Sequence, residues 1–139
     1  MKIQILPLVT GAQKATGLTV IIDVFRAFSL EAYMYTSGAK KVIPVKTVED
    51  ALALKKENPS YILVGERKGI KVEGFDYGNS PSEFVGVDLS GKTLIHTTSA
   101  GVLGLASAVN ASQIVTGALV NAKATAKYIL KQNPEVVSI

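Results

Sequence analysis

The sequence predicts an α/β protein with a largely parallel β-sheet and helices on both faces. Short apolar runs rich in β-branched residues alternate with segments of helical periodicity along the chain. The run LTVIID at 18–23 is continuous rather than alternating, which is typical of a strand buried on both faces. Strands of this kind, joined by helices, form right-handed crossovers and parallel pairs. With 139 residues, of which 47% are hydrophobic, a single domain over residues 1–139 is expected.

The elements are predicted from these patterns in chain order. Residues 2–9 alternate between apolar and polar and predict the first strand. The other strands are predicted at 18–23, 42–45, 61–64, 93–96 and 113–116. The helices are predicted at 27–36, 48–57, 100–110 and 122–131. Residues 135–139 (EVVSI) begin a further apolar strand at which the sequence stops, so we expect a fold truncated after its last strand.

Composition excludes several classes of function. The chain has no Cys, which excludes disulfides, Cys zinc sites and thiolate mechanisms. Its net charge of +4 comes from scattered lysines without interleaved aromatic residues, so no nucleic-acid partner is expected. The apolar stretch at the N-terminus is short and interrupted by Pro7, so we expect neither a signal peptide nor a membrane partner, and a cytoplasmic location.

Polar side chains follow the ends of the predicted strands. Because ligands of open α/β sheets bind beyond the carboxyl ends of the strands, we expect these side chains to share one edge. The glycine-containing loop at 66–83 adds further oxygen and amide groups, and long loops inside compact domains are usually functional. Oxygen ligands together with arginines and helix starts suit a phosphorylated substrate held with a divalent cation. The candidates are Asp23, Arg26, Glu66, Arg67, Asp76, Asn79, Ser80, Thr97, Thr98, Ser99 and Asn121.

Each candidate also has a structural interpretation. Ser99 and Asn121 occur where helices begin and are suited to act as N-caps. Both arginines are placed to form ion pairs with the carboxylates beside them, and Asp76 suits a turn. His96, the only histidine, lies inside an apolar strand, so a hydrogen-bonded structural imidazole is favoured over a catalytic base.

Residues 86–93 (GVDLSGKT) match the pattern G-x-x-x-x-G-K-[ST] of nucleotide-binding phosphate loops. That loop requires a helix beginning at the lysine, whereas Lys92 is followed here by a β-type run. A turn entering a strand is the better interpretation. A nucleotide-binding protein remains a third hypothesis, which predicts a helix starting at Lys92.

Four segments of the chain resemble the 2-phosphosulfolactate phosphatase family. They are VIIDVFRAFS at 20–29, GERKGIKVEGFDYGNSPSE at 65–83, TTSAGV at 97–102 and TGALVNAKATA at 116–126. The resemblance implies a magnesium-dependent acid phosphatase of α/β fold that acts in coenzyme M biosynthesis, and a family architecture longer than this chain. Carried over by position, the polar residues of the family's motifs are all the candidates above except Ser99.

The sequence therefore predicts hydrolysis of a small acidic phosphomonoester. Without Cys, and with Phe25 where aspartyl-phosphate enzymes carry a second Asp, attack by a metal-bound water is favoured. We expect Asp23, Glu66 and Asp76 to hold magnesium as the catalytic carboxylates, and the other candidates to bind phosphate or substrate. The alternative is a non-catalytic fragment or homologue that binds a phosphorylated metabolite. We also expect the chain to form a homo-oligomer and to be catalytically weak on its own.

Overall fold

A computed structural model describes residues 1–139, whose eight strands form two four-stranded sheets. The strands are β1 (Lys2–Gln4), β2 (Gly17–Ile22), β3 (Lys41–Pro44), β4 (Ile62–Arg67), β5 (Ile70–Lys71), β6 (Thr93–Thr97), β7 (Ala111–Gly117) and β8 (Val136–Ser138). The α-helices are α1 (Leu8–Ala12), α2 (Ala27–Thr36), α3 (Val48–Glu57), α4 (Gly101–Ser107) and α5 (Ala122–Gln132). Two short 3₁₀ turns, Pro81–Phe84 and Leu119–Asn121, complete the elements.

The first sheet has the order β1-β8-β2-β7, and all of its pairs are parallel. Successive side chains of β2 point to opposite faces of this sheet. Leu18 and Val20 pack with Ile129 of α5, while Ile21 packs near Phe28 of α2 and Leu105 of α4. Helices therefore cover both faces of the sheet.

The second sheet has the order β3-β6-β4-β5, in which only the short β5 is antiparallel to its neighbour. On one face Val64 and Leu94 join Leu30 and Met34 of α2 in the largest core cluster. On the other face Leu63 and Ile95 pack with Ala51 of α3.

Helix α2 contributes to the cores of both sheets. Its first turn, with Ala27 and Phe28, packs beside the first sheet, and its later residues Leu30 and Met34 pack on the second. The helix follows β2 directly, so it holds the carboxyl end of β2 beside the carboxyl ends of β4 and β6. This arrangement positions the site described below.

The predicted α/β class, the parallel pairing and the covering of both faces are confirmed. The bounds of α2 and α3 are those predicted. The division into two sheets was not predicted, and the single strand expected at 2–9 is wrong. That segment contains β1 and then α1, because Pro7 lacks an N–H for a strand ladder but is tolerated where a helix begins.

Residues 86–93 form a turn that leads into β6. Asp88 Oδ1 accepts a hydrogen bond of 2.8 Å from the Ser90 N–H, an Asx turn, and the strand begins at Thr93. No helix begins at Lys92, so the phosphate-loop hypothesis is wrong. None of the helices has both the length and the apolar character needed to cross a bilayer.

The last strand, β8, pairs with β1 on one side and β2 on the other, so the edges of the first sheet are β1 and β7 and self-association stays a prediction. β7 pairs only with β2, and Ile114 lies exposed on its free edge. A cavity of about 510 Å³ near α1 is lined by apolar residues that include Ile5, Leu8 and Ile139. Unpaired strand edges and apolar patches of this kind favour pairing with a second copy.

Sedimentation velocity at micromolar concentration is expected to show a dimer or larger species. Ile114→Lys, which places a charge on the β7 edge, is expected to shift the equilibrium toward monomer. An unmodified chain that stays strictly monomeric would contradict the prediction.

Candidate active site

A polar cleft of about 240 Å³ lies where the carboxyl ends of β2, β4 and β6 meet. It therefore lies between the two sheets rather than on the edge of one. Its lining residues are Asp23, Phe25, Arg26, Glu66, Lys68, Gly69, Asn79, Thr98, Ser99 and Ala100. Six of the eleven sequence-predicted candidates are among them.

Asp23 follows β2 and is a half-buried lining residue of the cleft. Its Oδ1 accepts a hydrogen bond of 3.3 Å from the Ala27 N–H, and Oδ2 accepts none from the protein. The backbone of Gly101 approaches so closely that a Cβ there would lie 2.9 Å from Oδ2. Burial raises the pKa of Asp23 above its ordinary value, although the Ala27 N–H and the nearby His96 oppose the rise. Asp23 is thus a carboxylate with one oxygen free.

Glu66 has no free oxygen. Its Oε1 accepts a hydrogen bond of 2.7 Å from the Ser99 N–H. Its Oε2 accepts one of 2.6 Å from the Gly69 N–H and one of 3.2 Å from the Ser99 hydroxyl. Burial opposes ionisation of this carboxyl, but these hydrogen bonds and the charge of Arg67 outweigh it, so the pKa of Glu66 lies below its ordinary value. Glu66 therefore ties the β4–β5 hairpin to the loop after β6.

The cleft contains two cations that form no salt bridge. Arg26 donates only a weak bond of 3.4 Å to the Gly69 carbonyl, and Lys68 lines the same wall. Neither cation forms a salt bridge. The ion pairs found in the chain are Lys55–Asp76 and His96–Glu31. The structural interpretation of Arg26 as an ion-pair partner of Asp23 is therefore wrong. Thr98 adds a hydroxyl. Its oxygen accepts a hydrogen bond of 3.4 Å from the Val102 N–H, so its O–H is free to donate.

Arg67 and Thr97 lie outside the cleft, contrary to the prediction. Successive side chains of a strand point to opposite faces, so Arg67 points away from the cleft that Glu66 lines. Its guanidinium donates to the Glu66 carbonyl at 2.7 Å, the Thr97 hydroxyl at 2.9 Å and the Lys46 carbonyl at 3.2 Å. These bonds connect β4, β6 and the segment that follows β3.

Asp76 also lies outside the cleft, at the opposite end of β4. Its Oδ2 accepts a hydrogen bond of 2.7 Å from the N–H of Leu63, which lies near the start of the strand. The same oxygen lies 3.7 Å from Lys55 Nζ. No three acidic or histidine side chains of the chain are close enough to share a metal ion. The expected magnesium set of Asp23, Glu66 and Asp76 is therefore contradicted.

Ser80 and Asn121 have local partners instead of cleft contacts. The Ser80 hydroxyl lies 2.9 Å from that of Ser82, in the turn that follows it. Asn121 Oδ1 accepts a hydrogen bond of 2.8 Å from the Ala118 N–H, and its Nδ2 donates one of 3.1 Å to the Thr116 carbonyl. Asn121 occupies the N-cap position of α5 but its side chain makes no capping bond to that helix, and it stabilises the turn between β7 and α5 instead.

The sequence profile of the 2-phosphosulpholactate phosphatase family matches residues 5–139. This chain belongs to that family. A probable 2-phosphosulfolactate phosphatase from Carboxydothermus hydrogenoformans is 47% identical over 118 residues, 85% of this chain and 49% of the relative. A protein of the same name from Bacillus subtilis is 40% identical over 114 residues, 82% of this chain and 50% of the relative. The chain spans about half the length of the curated relatives it matches.

In this member of the 2-phosphosulfolactate phosphatase family, the donor set fits magnesium only in part. Mg²⁺ is usually held by one or two carboxylates together with substrate phosphates and waters. Asp23 offers such an oxygen, whereas both oxygens of Glu66 are occupied by donors. The cleft of this family member thus provides one carboxylate suited to the metal.

One cleft residue, and one partner of a buried side chain behind the cleft, were not identified from the sequence. Lys68 was not selected, although it directly follows the strand-end pair that was. Glu31 was also missed, because its spacing in α2 does not reveal that it faces a buried imidazole. The structural interpretation of His96 agrees with its position, since the ring is fully buried with both nitrogens near hydrogen-bond partners.

Proposed function

We propose that the cleft binds the phosphoryl group of a small, acidic phosphomonoester and that the protein hydrolyses it. The observation that carries this proposal is the pair of cations without a salt bridge, Arg26 and Lys68, beside the free hydroxyl of Thr98. Guanidinium, ammonium and hydroxyl groups donate to phosphate oxygens and stabilise the charge that spreads over them during transfer. Family membership supports the same reaction.

We propose magnesium as the cofactor, with Asp23 as its protein ligand. A bound divalent cation would favour the ionised form of Asp23, whose pKa burial raises. Magnesium supplies Lewis-acid polarisation of the phosphoryl group. Phosphate oxygens and waters would complete its ligands, since both oxygens of Glu66, the other cleft carboxylate, already accept hydrogen bonds.

The protein side chains divide the other tasks. Arg26 and Lys68 neutralise the phosphoryl oxygens, and the Thr98 hydroxyl donates to one of them. Glu66 does not touch the substrate in this mechanism. It fixes the Gly69 and Ser99 backbone and thereby the two loops that form the walls. Preorganised walls of this kind reduce the cost of aligning the ester for attack.

The substrate class follows from the relatives' name. The 2-phosphosulfolactate named there carries carboxylate and sulfonate groups beside the phosphoryl group. A cleft with two cations that form no salt bridge suits such a polyanion. We therefore propose that the protein acts in coenzyme M biosynthesis.

Magnesium-dependent turnover of a generic phosphomonoester such as p-nitrophenyl phosphate tests the proposal. We expect slow hydrolysis that chelation of magnesium abolishes. Phosphate binding without any turnover would instead favour the alternative, a phosphometabolite-binding protein. A chain that neither binds phosphate nor hydrolyses the ester would contradict both.

A further inference from the structure

Three buried polar side chains form a continuous chain that ends at the cleft. Glu31, His96 and Asn79 are exposed by only 6%, 0% and 7%. His96 Nδ1 lies 3.2 Å from Glu31 Oε1, and His96 Nε2 lies 3.1 Å from Asn79 Oδ1. The members come from α2, from β6 and from the loop after β5, and of the three only Asn79 lines the cleft.

The surroundings make this chain costly unless it is hydrogen-bonded. Glu31 stands between Leu30 and Met34 on the helix that fills the largest core cluster. A carboxylate buried there needs a donor, and His96 supplies one through Nδ1. A buried pair of this type does not stabilise a fold better than well-packed apolar residues do. Stability by itself therefore does not account for it.

The hydrogen bond to His96 determines which end of Asn79 faces the cleft. Glu31 Oε1 and Asn79 Oδ1 are both acceptors, so in this arrangement both ring nitrogens of His96 carry a hydrogen and donate, Nδ1 to Glu31 and Nε2 to Asn79. The Oδ1 end of Asn79 thus meets the imidazole, whereas Nδ2 donates to no protein oxygen. An amide held by its oxygen presents its NH₂ group, which donates two hydrogen bonds and accepts none. That group suits an oxyanion and does not suit a metal ion.

We propose that Glu31 and His96 are positioning residues that hold the Asn79 amide so that its Nδ2 donates to a phosphate oxygen in the cleft. Glu31 fixes the imidazole, and the imidazole fixes Asn79. This inference rests on the proposed function and adds a phosphate donor to Arg26, Lys68 and Thr98.

The first test measures the binding of inorganic phosphate by calorimetry. Asn79→Asp keeps the shape of the side chain but replaces the NH₂ group with a charged oxygen, so we expect at least about a tenfold weaker affinity. Asn110→Asp makes the same charge change in an exposed turn away from the cleft and is expected to bind phosphate like the unmodified chain.

The outcomes separate this inference from the proposed function. Phosphate binding that Asn79→Asp leaves unchanged would overturn the positioning role but not the proposed function. An unmodified chain that binds no phosphate would overturn the proposed function and this inference with it.

The second test concerns the positioning residues themselves. Glu31→Gln keeps an oxygen that accepts from His96 Nδ1, whereas Glu31→Leu removes it and fills the space with apolar atoms. We expect phosphate affinity to fall about fivefold or more in Glu31→Leu and by a smaller factor in Glu31→Gln, which keeps the acceptor but loses the charge beside the imidazole. The side-chain amide resonance of Asn79 is expected to shift more in the Leu variant than in the Gln variant. A purely structural role would change the melting temperature of Glu31→Leu without changing its phosphate affinity, and that result would overturn the role of Glu31.

Should Glu31→Leu fail to fold, the Asn79→Asp measurement still decides whether the amide binds phosphate. The Asn79 amide resonance in the unmodified chain then provides a second readout. Titration with inorganic phosphate is expected to shift it, and an unmoved resonance at saturation would overturn the inference.

Discussion

Asp23→Asn is expected to abolish magnesium-dependent hydrolysis while leaving the fold intact. Asp23 is the one cleft carboxylate with a free oxygen, so its loss leaves the metal without a charged protein ligand. We expect magnesium affinity, measured by calorimetry in the presence of phosphate, to fall by at least about a hundredfold. Unchanged magnesium affinity would remove Asp23 from the ligand set.

The stability of this variant provides a second check. Asn keeps an oxygen that accepts from the Ala27 N–H, and it removes a carboxylate whose ionised form burial disfavours. A raised folded-state pKa means that protonation stabilises the fold, so the contribution of Asp23 is present in acid and is lost as the pH rises through that pKa. We therefore expect Asp23→Asn to have a free energy of unfolding equal to or above that of the unmodified chain at pH 7, with any difference shrinking in acid.

Asp76→Asn is the matched control for Asp23→Asn. It makes the same chemical change in a carboxylate at the opposite end of β4, where an amide oxygen still accepts from the Leu63 N–H. Loss of its partly exposed ion pair with Lys55 is expected to cost less than about 1 kcal/mol. Equal loss of magnesium affinity in both variants would contradict the assignment of the metal to the cleft.

Glu66→Gln is expected to destabilise the fold and to weaken phosphate binding. Glu66 accepts three hydrogen bonds from Ser99 and Gly69, and Gln presents an NH₂ group to one set of these donors. Leaving buried donors without an acceptor costs about 1–3 kcal/mol of the free energy of unfolding. Because these bonds fix the two walls of the cleft, phosphate affinity of the folded variant should fall as well. Denaturant unfolding and phosphate calorimetry measure the two effects.

The pH dependence of Glu66 has the opposite sign to that of Asp23. Its folded-state pKa is lowered, so its ionised form stabilises the fold. This contribution is fully present above the unfolded pKa of about 4.3 and is lost as the pH falls through the lower folded-state value. As the pH falls from 6, the free energy of unfolding of the unmodified chain should therefore decrease. That of Glu66→Gln, which lacks this contribution at every pH, should decrease less.

Glu83→Gln serves as the control for Glu66→Gln. Glu83 is exposed, and its carboxylate accepts one backbone hydrogen bond, from Gly78. We expect its replacement to change the free energy of unfolding by less than about 1 kcal/mol and to leave phosphate affinity unchanged. A Glu66→Gln variant no less stable than this control would contradict the role assigned to Glu66.

Local sequence determined most of the longer elements of this protein. Strands and helices follow from periodicity and side-chain shape within each segment, which is why the bounds of α2 and α3 are those predicted. Position after an apolar run also indicated that Asp23 and Glu66 lie at strand ends. The motifs were sufficient to identify the family, because they occur in order along the whole chain.

Only the tertiary structure decided which of these residues meet. Arg67 adjoins Glu66 in sequence but points to the other face of β4, and Asp76 returns to the far end of that strand. Glu31 and His96 are 65 residues apart and become partners because α2 packs on the second sheet. Side-chain direction and sheet assignment depend on pairing between distant strands, which a local pattern does not contain. The sequence therefore determined the chemistry available to this protein, and packing decided which groups share the cleft.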